Sequence, residues 1–239
     1  MTDTRAFYEE YWTRRRQNGY LYREQVPARL YAVLDFIAAE GPGPLRLLDL
    51  GCGEGTLGRL LGEKFGRRVY RVGLDLSPTA LEMAAAHYDA VHQANLELDP
   101  WPDLLAAERF DIIVCVEVLE HLFRPENVLY GCKGLLAPEG ALIVSFPNFA
   151  FYKNRYDVLR GHFPRSQHVY HSVEHIHYFT MHSFRQLLDS CGLEATDIGG
   201  SYALPWLANR LPERIKRAAF RAFPNLFGNQ IVIKTRVAT

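Results

Sequence analysis

The sequence predicts an α/β fold built on a doubly wound, mostly parallel sheet with helices on both faces. Two observations support this prediction. Short apolar runs alternate with helical stretches along most of the 239 residues. The runs are apolar throughout rather than at every second position, which is typical of strands buried on both faces. The seven predicted strands span residues 45–50, 67–76, 88–96, 110–116, 140–147, 193–202 and 229–237.

Helices are predicted between these strands and before the first of them. The first forty residues show helical spacing and end at the breaker Gly-Pro-Gly-Pro, residues 41–44. The later helices span residues 57–65, 78–87, 102–108, 124–136, 180–192 (with Thr180 as N-cap) and 211–223. An aromatic, histidine-rich segment after Asn148 is long enough to indicate a binding loop or lid. We divide the chain into an N-terminal helical cap (1–44), a core (45–148) and a region of the same domain (149–239).

The composition favours a single globular domain and argues against two classes of partner. Hydrophobic residues make up 48% of the chain and charged residues 23%. Basic and acidic residues number 27 each, so the chain lacks the basic excess of most nucleic-acid-binding proteins. The sequence shows no apolar run of the ~18 residues needed for a membrane helix and no signal-peptide core. The four cysteines form no C-x-x-C pair, and we therefore expect a cytoplasmic protein without a disulfide framework.

The stretch LLDLGCGEGTLG, residues 47–58, places three alternating glycines between a predicted strand and a predicted helix. A glycine-rich turn in this position brings backbone N–H groups close to a ligand. Asp49 precedes the turn, where an acid would repel a pyrophosphate but would suit a cationic or amino-acid-like ligand. Asp75 ends the next strand, where an acid accepts hydrogen bonds from ribose hydroxyls.

Four motifs, in order, resemble those of the class I S-adenosylmethionine-dependent methyltransferases: LLDLGCGEGTLG, VGLDLS, FDIIVCVEVLEHL and LLAPEGALIVSFPN. The resemblance implies a Rossmann-like sheet with an antiparallel C-terminal strand, N-terminal helices and an inserted helix or loop cap. It also implies S-adenosylmethionine as cofactor and the following binding residues: Asp49, Gly51, Cys52, Gly53, Gly55, Asp75, Leu76, Asn95, Leu96 and Cys115. In this family Asp49 would face the ammonium group, Asp75 would hold the ribose, and Cys115 would lie beside the sulfonium methyl. Asn95 replaces a more usual aspartate, which leaves the adenine amino contact open between Asn95 and Glu97.

Acidic and histidine residues cluster directly after the fourth predicted strand. If the chain turns helical there, Glu117, Glu120 and His121 fall at i, i+3 and i+4, on one face. We predict that Glu117 and His121 activate the acceptor, supported by His175 from the later cluster of His168, His171, His175 and His177. A second interpretation is that Glu120 and His121 only brace the end of the sheet. A third is a divalent-metal site formed by Glu117, Glu120, His121 and His175.

The motif E-x-x-E-H followed by a distant histidine resembles the metal-dependent RNA ribose 2′-O-methyltransferases, and the ubiquinone-pathway O-methyltransferases have a comparable arrangement. The segment after residue 148 resembles the MetW-like branch and methyltransferases of polysaccharide and natural-product biosynthesis. These resemblances favour methyl transfer to a hydroxyl, or an amine, of a small-molecule or sugar acceptor. The alternatives are an accessory protein of a homoserine acyltransferase and an RNA ribose methyltransferase. A homodimer or a complex with a biosynthetic partner enzyme is compatible with each.

Three further groups of residues have two interpretations each. The first either caps the cofactor cleft or packs on the second helix: Tyr8, Tyr11, Trp12 and Tyr20. The second either lines the acceptor site or forms a solvated basic face: Tyr152, Arg155, Tyr156, Arg160, His162 and Arg165. The basic helix at 211–223 either covers its own sheet or rests on a membrane surface or partner.

Overall fold

The computed structural model describes residues 4–19, 26–164, 175–205, 208 and 210–238, which contain one seven-stranded sheet and the helices around it. The strands are β1 (Leu45–Leu50), β2 (Val69–Asp75), β3 (Ala90–Gln93), β4 (Phe110–Val116), β5 (Leu136–Pro147), β6 (Leu193–Tyr202) and β7 (Gly228–Val237). The helices are α1 (Thr4–Gln17), α2 (Ala28–Ala38), α3 (Thr56–Phe65), α4 (Pro78–Ala84), α5 (Trp101–Leu104), α6 (Pro125–Leu135), α7 (Tyr152–Leu159), α8 (Met181–Ser190), α9 (Glu213–Ala222) and α10 (Pro224–Phe227). Single 3₁₀ turns span Gly66–Arg68 and Leu119–His121.

The strand order is β3-β2-β1-β4-β5-β7-β6, and β1 to β5 all run parallel. Strand β7 lies between β5 and β6 and runs antiparallel to both. This topology confirms the predicted seven-stranded, mostly parallel sheet with an antiparallel C-terminal strand. The strand order reverses between β1 and β4, and in such sheets ligands bind beyond the carboxyl ends of the strands at this reversal.

Alternation along the central strands divides the core into two clusters, one on each face of the sheet. Leu47 and Ile112 belong to the cluster that α2 and α3 cover. Leu48 and Ile113, the next residue of each strand, belong to the cluster that α6 and α8 cover. All four are fully buried. Because each central strand is covered on both faces, it reads as a continuous apolar run in the sequence.

The observed elements differ from the predicted ones mainly at their ends. Strand β5 begins at Leu136 rather than at residue 140, since Leu136 already pairs with Phe110 before a register shift. Glu139 lies within this irregular stretch and has a positive φ of 62°. Helix α5 is only one turn long. Helix α8 begins as predicted, with the Thr180 hydroxyl accepting a hydrogen bond from the Ser183 N–H.

Within the described ranges, no helix combines the length and the apolar character required to cross a bilayer. All four cysteines are buried free thiols.

Candidate functional site

A cavity of about 490 Å³ lies at the carboxyl ends of β1, β2 and β4, where the strand order reverses. Its floor and walls come from the ends of these strands and the turns that follow them. Helix α1 closes one side with three aromatic residues. The principal lining residues are Tyr8, Tyr11, Trp12, Asp49, Gly51, Cys52, Gly53, Asp75, Leu76, Asn95, Leu96, Glu97, Glu117, His121, His175 and Gln230.

The turn after β1 requires glycine for two reasons, backbone conformation and close approach. Gly51 has φ +74°, and a Cβ there would lie 2.5 Å from a methyl group of Val118. Gly53 has φ +53°, and a Cβ there would lie 2.8 Å from the Trp12 ring. Since other residues rarely adopt these angles and any side chain would collide, the turn can stay open to a ligand only with glycine at both positions.

The carboxylate of Asp75 is held by backbone donors at the edge of the cavity. The N–H of Gly53 donates to Oδ2 and the N–H of Ser77 donates to Oδ1, both at 2.9 Å. Burial raises the pKa of Asp75 although these hydrogen bonds oppose the shift. Each carboxylate oxygen keeps a second lone pair, so Asp75 can still accept hydrogen bonds from two neighbouring hydroxyls.

Asp49 lines the cavity, but its carboxyl is buried and held from behind. The Tyr88 hydroxyl donates to Asp49 Oδ2 and accepts a hydrogen bond from the Gly58 N–H at 3.1 Å. Burial raises the pKa of Asp49 to about 7, against the effect of the Tyr88 hydrogen bond. A cationic group placed at this wall would favour the ionised form of Asp49.

Eight of the ten predicted cofactor-binding residues line the cavity, and two do not. Cys115 is fully buried in the core cluster with Cys132. Strand alternation turns its side chain away from the cavity, and the next residue, Val116, lines it instead. Gly55 is the N-cap of α3 with φ +85°, where a Cβ would lie 2.8 Å from the backbone of Ala84. Its role is therefore to form the turn rather than to contact a ligand.

Glu117 directly follows β4 and has a positive φ of 55°. Its N–H donates to the Ser145 hydroxyl at 3.0 Å, and this hydroxyl donates to Glu117 Oε1 at 2.9 Å. Gln230 Nε2 donates to Oε2 at 2.9 Å. The carboxylate is thus oriented by residues of β5 and β7. The shared face of Glu117, Glu120 and His121 depended on a helix after β4. The chain forms only the 3₁₀ turn Leu119–His121 there, so these three residues do not share a helix face.

Sequence reasoning missed Gln230 and Ser145. Arg29 and Ser201 both donate to the side-chain oxygen of Gln230, each at 3.2 Å, which leaves the amide nitrogen directed at Glu117. A weak signal exists for Ser145, because it is the one hydroxyl in the apolar strand ALIVSFP. Gln230 has no comparable signal, since its place depends on where β7 enters the sheet.

Three of the four residues predicted to bind a metal come together beneath the 3₁₀ turn. Potential ligand atoms of Glu120, His121 and His175 all lie within 4.8 Å of one another, and the two imidazole centroids are 4.7 Å apart. Glu117 is not part of this group, since its carboxylate is bound by Ser145 and Gln230. The N–H groups of residues 176 and 177 donate to the Glu120 carbonyl, which brings His175 alongside.

Glu120 is fully buried, and no described residue donates a hydrogen bond to either of its carboxyl oxygens. Burial, with a smaller contribution from Glu117, raises the pKa of Glu120 well above its usual range. Burial lowers the pKa of His175, although Glu117 opposes this shift. His175 Nε2 lies 3.9 Å from Glu120 Oε1. Both shifts favour the neutral form of the side chain.

Helix α1 is attached beside the cavity through the Glu9 carboxylate and through the pair of Arg16 with Glu82 of α4. The hydroxyls of Ser77 and Thr79 donate to Glu9, the first at 2.6 Å, at the N-terminus of α4. This contact holds Tyr8, Tyr11 and Trp12 against the cavity. A cap over the cofactor cleft is one of the two predicted alternatives for these aromatic residues. Tyr20, Arg165, His168 and His171 lie outside the described residues.

The candidate acceptor residues on and after α7 do not line this cavity. The Tyr152 hydroxyl donates to the Leu204 carbonyl at 3.2 Å, and Arg155 Nε donates to the Ala150 carbonyl at 2.6 Å. Arg160 donates to the Tyr156 hydroxyl at 3.3 Å. These side chains bind their own neighbours, which supports the second interpretation, a solvated helix face.

Comparison with known proteins finds a matching family model and relatives of similar sequence. A family model described as a methyltransferase domain matches residues 22–198. A ubiquinone biosynthesis O-methyltransferase of Coxiella burnetii (strain Dugway 5J108-111) is 31% identical over 187 residues, 75% of each chain. Its counterpart in Xylella fastidiosa (strain 9a5c) is 30% identical over 182 residues, 72% of this chain and 71% of the relative.

Two solved structures share the fold. A Haloferax volcanii methyltransferase in complex with the Trm112 activator has a TM-score of 0.63 and 16% identity, covering 99% of this chain and 98% of that one. Magnesium protoporphyrin IX methyltransferase of Synechocystis PCC 6803 with bound SAH has a TM-score of 0.57 and 15% identity, covering 88% and 82%. At these identities the likeness concerns the fold alone.

Proposed function

Because this chain belongs to the class I S-adenosylmethionine-dependent methyltransferases, we propose that it transfers the methyl group to a hydroxyl oxygen of a small-molecule or sugar acceptor. One observation carries this proposal. Asp49, the glycine turn and Asp75 lie at the ends of β1 and β2, whereas Glu117 and His121 follow the adjacent strand β4 and line the same cavity together with His175. A cofactor seated at the turn would therefore direct its methyl group toward residues able to accept a proton.

The cofactor fits the chemistry of the lining residues. Asp75 would accept the ribose hydroxyls, and Asp49 would face the ammonium group, with Gly51 and Gly53 leaving space for the methionine part. Leu76 and Leu96 would contact the adenine, near Asn95 and Glu97. These assignments follow the family pattern and the position of each residue on the cavity wall.

Methyl transfer from a sulfonium removes positive charge, so the alignment of acceptor and methyl supplies most of the reduction in the reaction barrier. Alignment can supply roughly 7–11 kcal/mol of the barrier. A general base adds typically about 10²–10⁴-fold, or roughly 3–5 kcal/mol. His175 suits the base role because burial lowers its pKa and keeps the imidazole neutral. Glu117, oriented by Ser145 and Gln230, would position the acceptor hydroxyl beside His121.

The test is methyl transfer to a panel of phenolic, sugar and amine acceptors, followed by mass spectrometry for a gain of one CH₂ group. We expect products methylated on oxygen. His175→Ala should lower kcat by about 10²–10⁴-fold while cofactor affinity stays the same. Gly53→Asp should abolish cofactor binding in calorimetry. Methylation of amines alone would contradict the hydroxyl assignment, and Gly53→Asp that still bound cofactor would contradict the assigned seat.

We also propose that Glu120, His121 and His175 would hold a divalent cation. The fit rests on the donor set and on the two Glu120 oxygens, which are buried and accept no hydrogen bond from any described residue. One carboxylate and two imidazoles suit Zn²⁺ or Mn²⁺ better than Mg²⁺, which prefers oxygen ligands. A cation bound there would lower the pKa of an acceptor hydroxyl. Since a lone pair that binds a cation cannot accept a proton, His175 would then be a ligand rather than the base.

Cation binding can be measured without turnover. Protein treated with chelator and dialysed should gain thermal stability on addition of Zn²⁺ or Mn²⁺, and Glu120→Gln should lose this gain. Glu126→Gln, a change at a non-buried acid on α6, is the matched control. Equal melting temperatures with and without cation in the native chain would exclude the metal and leave His175 as the base.

Two other functions remain as outcomes of the same experiments. Methyl transfer to short RNA oligonucleotides would favour ribose methylation, against which the equal numbers of basic and acidic residues argue. Cofactor binding without methylation of any acceptor, together with copurification of a homoserine acyltransferase, would favour the accessory role. We expect neither result, because the acids and imidazoles that face the cofactor seat have no role in a purely accessory protein.

A further inference from the structure

Helix α9 is attached to the rest of the protein mainly through one side chain. Phe220 is 2% exposed and stacks on the Tyr202 ring, with centroids 4.9 Å apart and planes at 16°. The Tyr202 hydroxyl also donates to Glu213 at the start of the helix. Phe220 is the only buried residue that α9 contributes. The helix therefore covers its own sheet only along a narrow contact.

A second apolar stripe runs along the solvent-facing side of the same helix. Ile215, Ala218 and Ala222 are exposed and follow the spacing i, i+3 and i+7, which places them on one face. Leu211, just before the helix, is also apolar and is 39% exposed. Ile215 is 43% exposed. With 100° per residue, this face points away from Phe220, so packing on the sheet does not account for it.

Basic residues border the exposed stripe. Arg214, Arg217 and Arg221 are all exposed and follow the same i, i+3, i+7 spacing on the adjoining face. Arg217 lies 3.8 Å from Asp35, a distance at which an exposed pair contributes little. The whole chain carries equal numbers of basic and acidic residues, so this concentration of arginine is a local property of the helix.

Further exposed residues lie next to the end of α9. Phe223 follows α9 and is 61% exposed, and Arg155 of α7 lies beside Ala222 and Phe223 around a shallow depression. Asn148 Nδ2 donates to the carbonyl of Asn225, in the short helix that follows α9, at 3.0 Å. Asn148 directly follows Pro147, which lines the cavity. The helix thus joins the edge of the sheet at which the cavity lies.

We propose that α9 docks on the surface of an anionic lipid bilayer, with Ile215 and its apolar neighbours at the acyl boundary and the arginines on lipid phosphates. A narrow apolar stripe beside a row of guanidinium groups is the pattern of helices that lie in the interfacial plane. A guanidinium group can donate two parallel hydrogen bonds to the oxygens of one phosphate. Each basic residue near an anionic surface also strengthens binding to that surface. The stripe is small and flanked by charge, which suits a headgroup layer better than the apolar centre of a protein interface.

Flotation of the full chain with phosphatidylcholine vesicles, with and without phosphatidylglycerol, tests the proposal without any turnover. We expect binding only to vesicles that contain phosphatidylglycerol, and weaker binding as salt increases. Ile215→Asp should abolish binding. The double change Arg214→Glu and Arg221→Glu should lower the apparent affinity by at least about twentyfold, since each basic residue contributes about fivefold.

The matched control is Arg67→Glu, an equally exposed arginine at the opposite, amino-terminal edge of the strands. It should bind vesicles like the native chain. All variants should keep the native melting temperature and SAH affinity, because Ile215 and the arginines lie outside the core. Failure of the native chain to bind anionic vesicles would overturn the proposal and assign the stripe to a protein partner. Binding that survives Ile215→Asp, or that Arg67→Glu weakens as much as the double change, would also overturn it.

Discussion

Glu117 has a strained backbone conformation. A non-glycine residue with φ +55° stores about 1–3 kcal/mol, and it keeps this conformation only when its surroundings hold it there. Ser145 holds both its N–H and its carboxylate, and Gln230 holds the second carboxylate oxygen. The orientation of Glu117 therefore depends on two strands that contribute nothing else to the chemistry.

Gln230→Leu tests this dependence. The change removes the donor to Glu117 Oε2 and leaves the carboxylate free to turn, so kcat should fall by about a hundredfold with little change in the KM for cofactor. Steady-state kinetics with saturating acceptor would show this split. Gln186→Leu, an exposed glutamine on α8, should leave both constants unchanged. An equal loss in kcat and in cofactor affinity would indicate general damage to the cavity instead.

Asp49 makes cofactor affinity depend on pH. Burial raises the pKa of its carboxyl to about 7 in the free protein, so at lower pH a cationic ligand binds only after this group releases its proton. Affinity should therefore rise by up to about tenfold per pH unit toward pH 7 and level off above it. Calorimetric titrations between pH 5.5 and pH 8.5, roughly 1.5 units on either side of that pKa, would show the profile. Asp49→Asn should bind more weakly and lose this dependence, and an unchanged profile in the variant would assign the titration elsewhere.

At the scale of elements, the turn between β1 and α3 couples the ligand seat to the packing of α3 on α4. Gly55 caps α3, and its α-carbon faces the backbone of Ala84 in α4. This packing brings Gly58 of α3 within hydrogen-bond distance of Tyr88, whose hydroxyl holds Asp49. A change in the turn would therefore disturb both the helix pair and the acid at the cavity wall.

Gly55→Ala should destabilise the protein by about 2–4 kcal/mol, since a positive φ and a backbone collision add together. Gly41→Ala separates the two effects. Gly41 has φ +82° but nothing within 4 Å of the added Cβ, so strain alone should cost about 1 kcal/mol. Urea unfolding of both variants gives the comparison. Equal losses of unfolding free energy in the two variants would mean that Ala84 moves away from the added methyl group without a measurable cost.

The sequence predicted the elements well where a local pattern determines them and failed where distant strands meet. Strands such as Phe110–Val116 read directly from their apolar runs, and the glycine turn reads from its spacing. The helix expected after β4 is a 3₁₀ turn, because Glu120 enters the core there. The prediction that Cys115 lies beside the sulfonium methyl is not met, because the alternation of side chains along β4 turns Cys115 away from the cavity. The role of Gln230 could not be predicted, since it requires the register of β7 against β5.

At the scale of the whole molecule, α1 closes the cavity although it buries no residue fully. Its docking depends on Glu9, which caps the first turn of α4 through Ser77 and Thr79. Burial acts to raise the pKa of Glu9, but the hydrogen bonds from Ser77 and Thr79 outweigh it, so the pKa is lowered. Arg16 also pairs with Glu82 of α4 at 3.0 Å, but this pair is exposed and contributes little. A helix attached by so few contacts is expected to open locally without unfolding of the sheet.

Glu9→Ala should loosen α1 and thereby weaken cofactor binding by about tenfold, the loss expected for two hydrogen bonds to a charged group less what exposure screens. Hydrogen exchange of residues 4–17 should accelerate, while the strands stay protected. Glu10→Ala changes the adjacent acid, which pairs with Arg14 of the same helix, and should alter neither quantity. Unchanged affinity in Glu9→Ala would show that α1 does not contribute to the closed cavity.

The position of β7 has a consequence for biosynthesis. This strand follows the other six in the sequence yet lies between β5 and β6. The ribosome therefore synthesises β7 after both of the strands with which it pairs. Until residues 228–237 emerge, β5 has an open edge and β6 has no partner strand. The nascent chain must keep these two edges from pairing with each other or with another chain. Exposure of these two edges should therefore end abruptly, when the last strand enters the sheet.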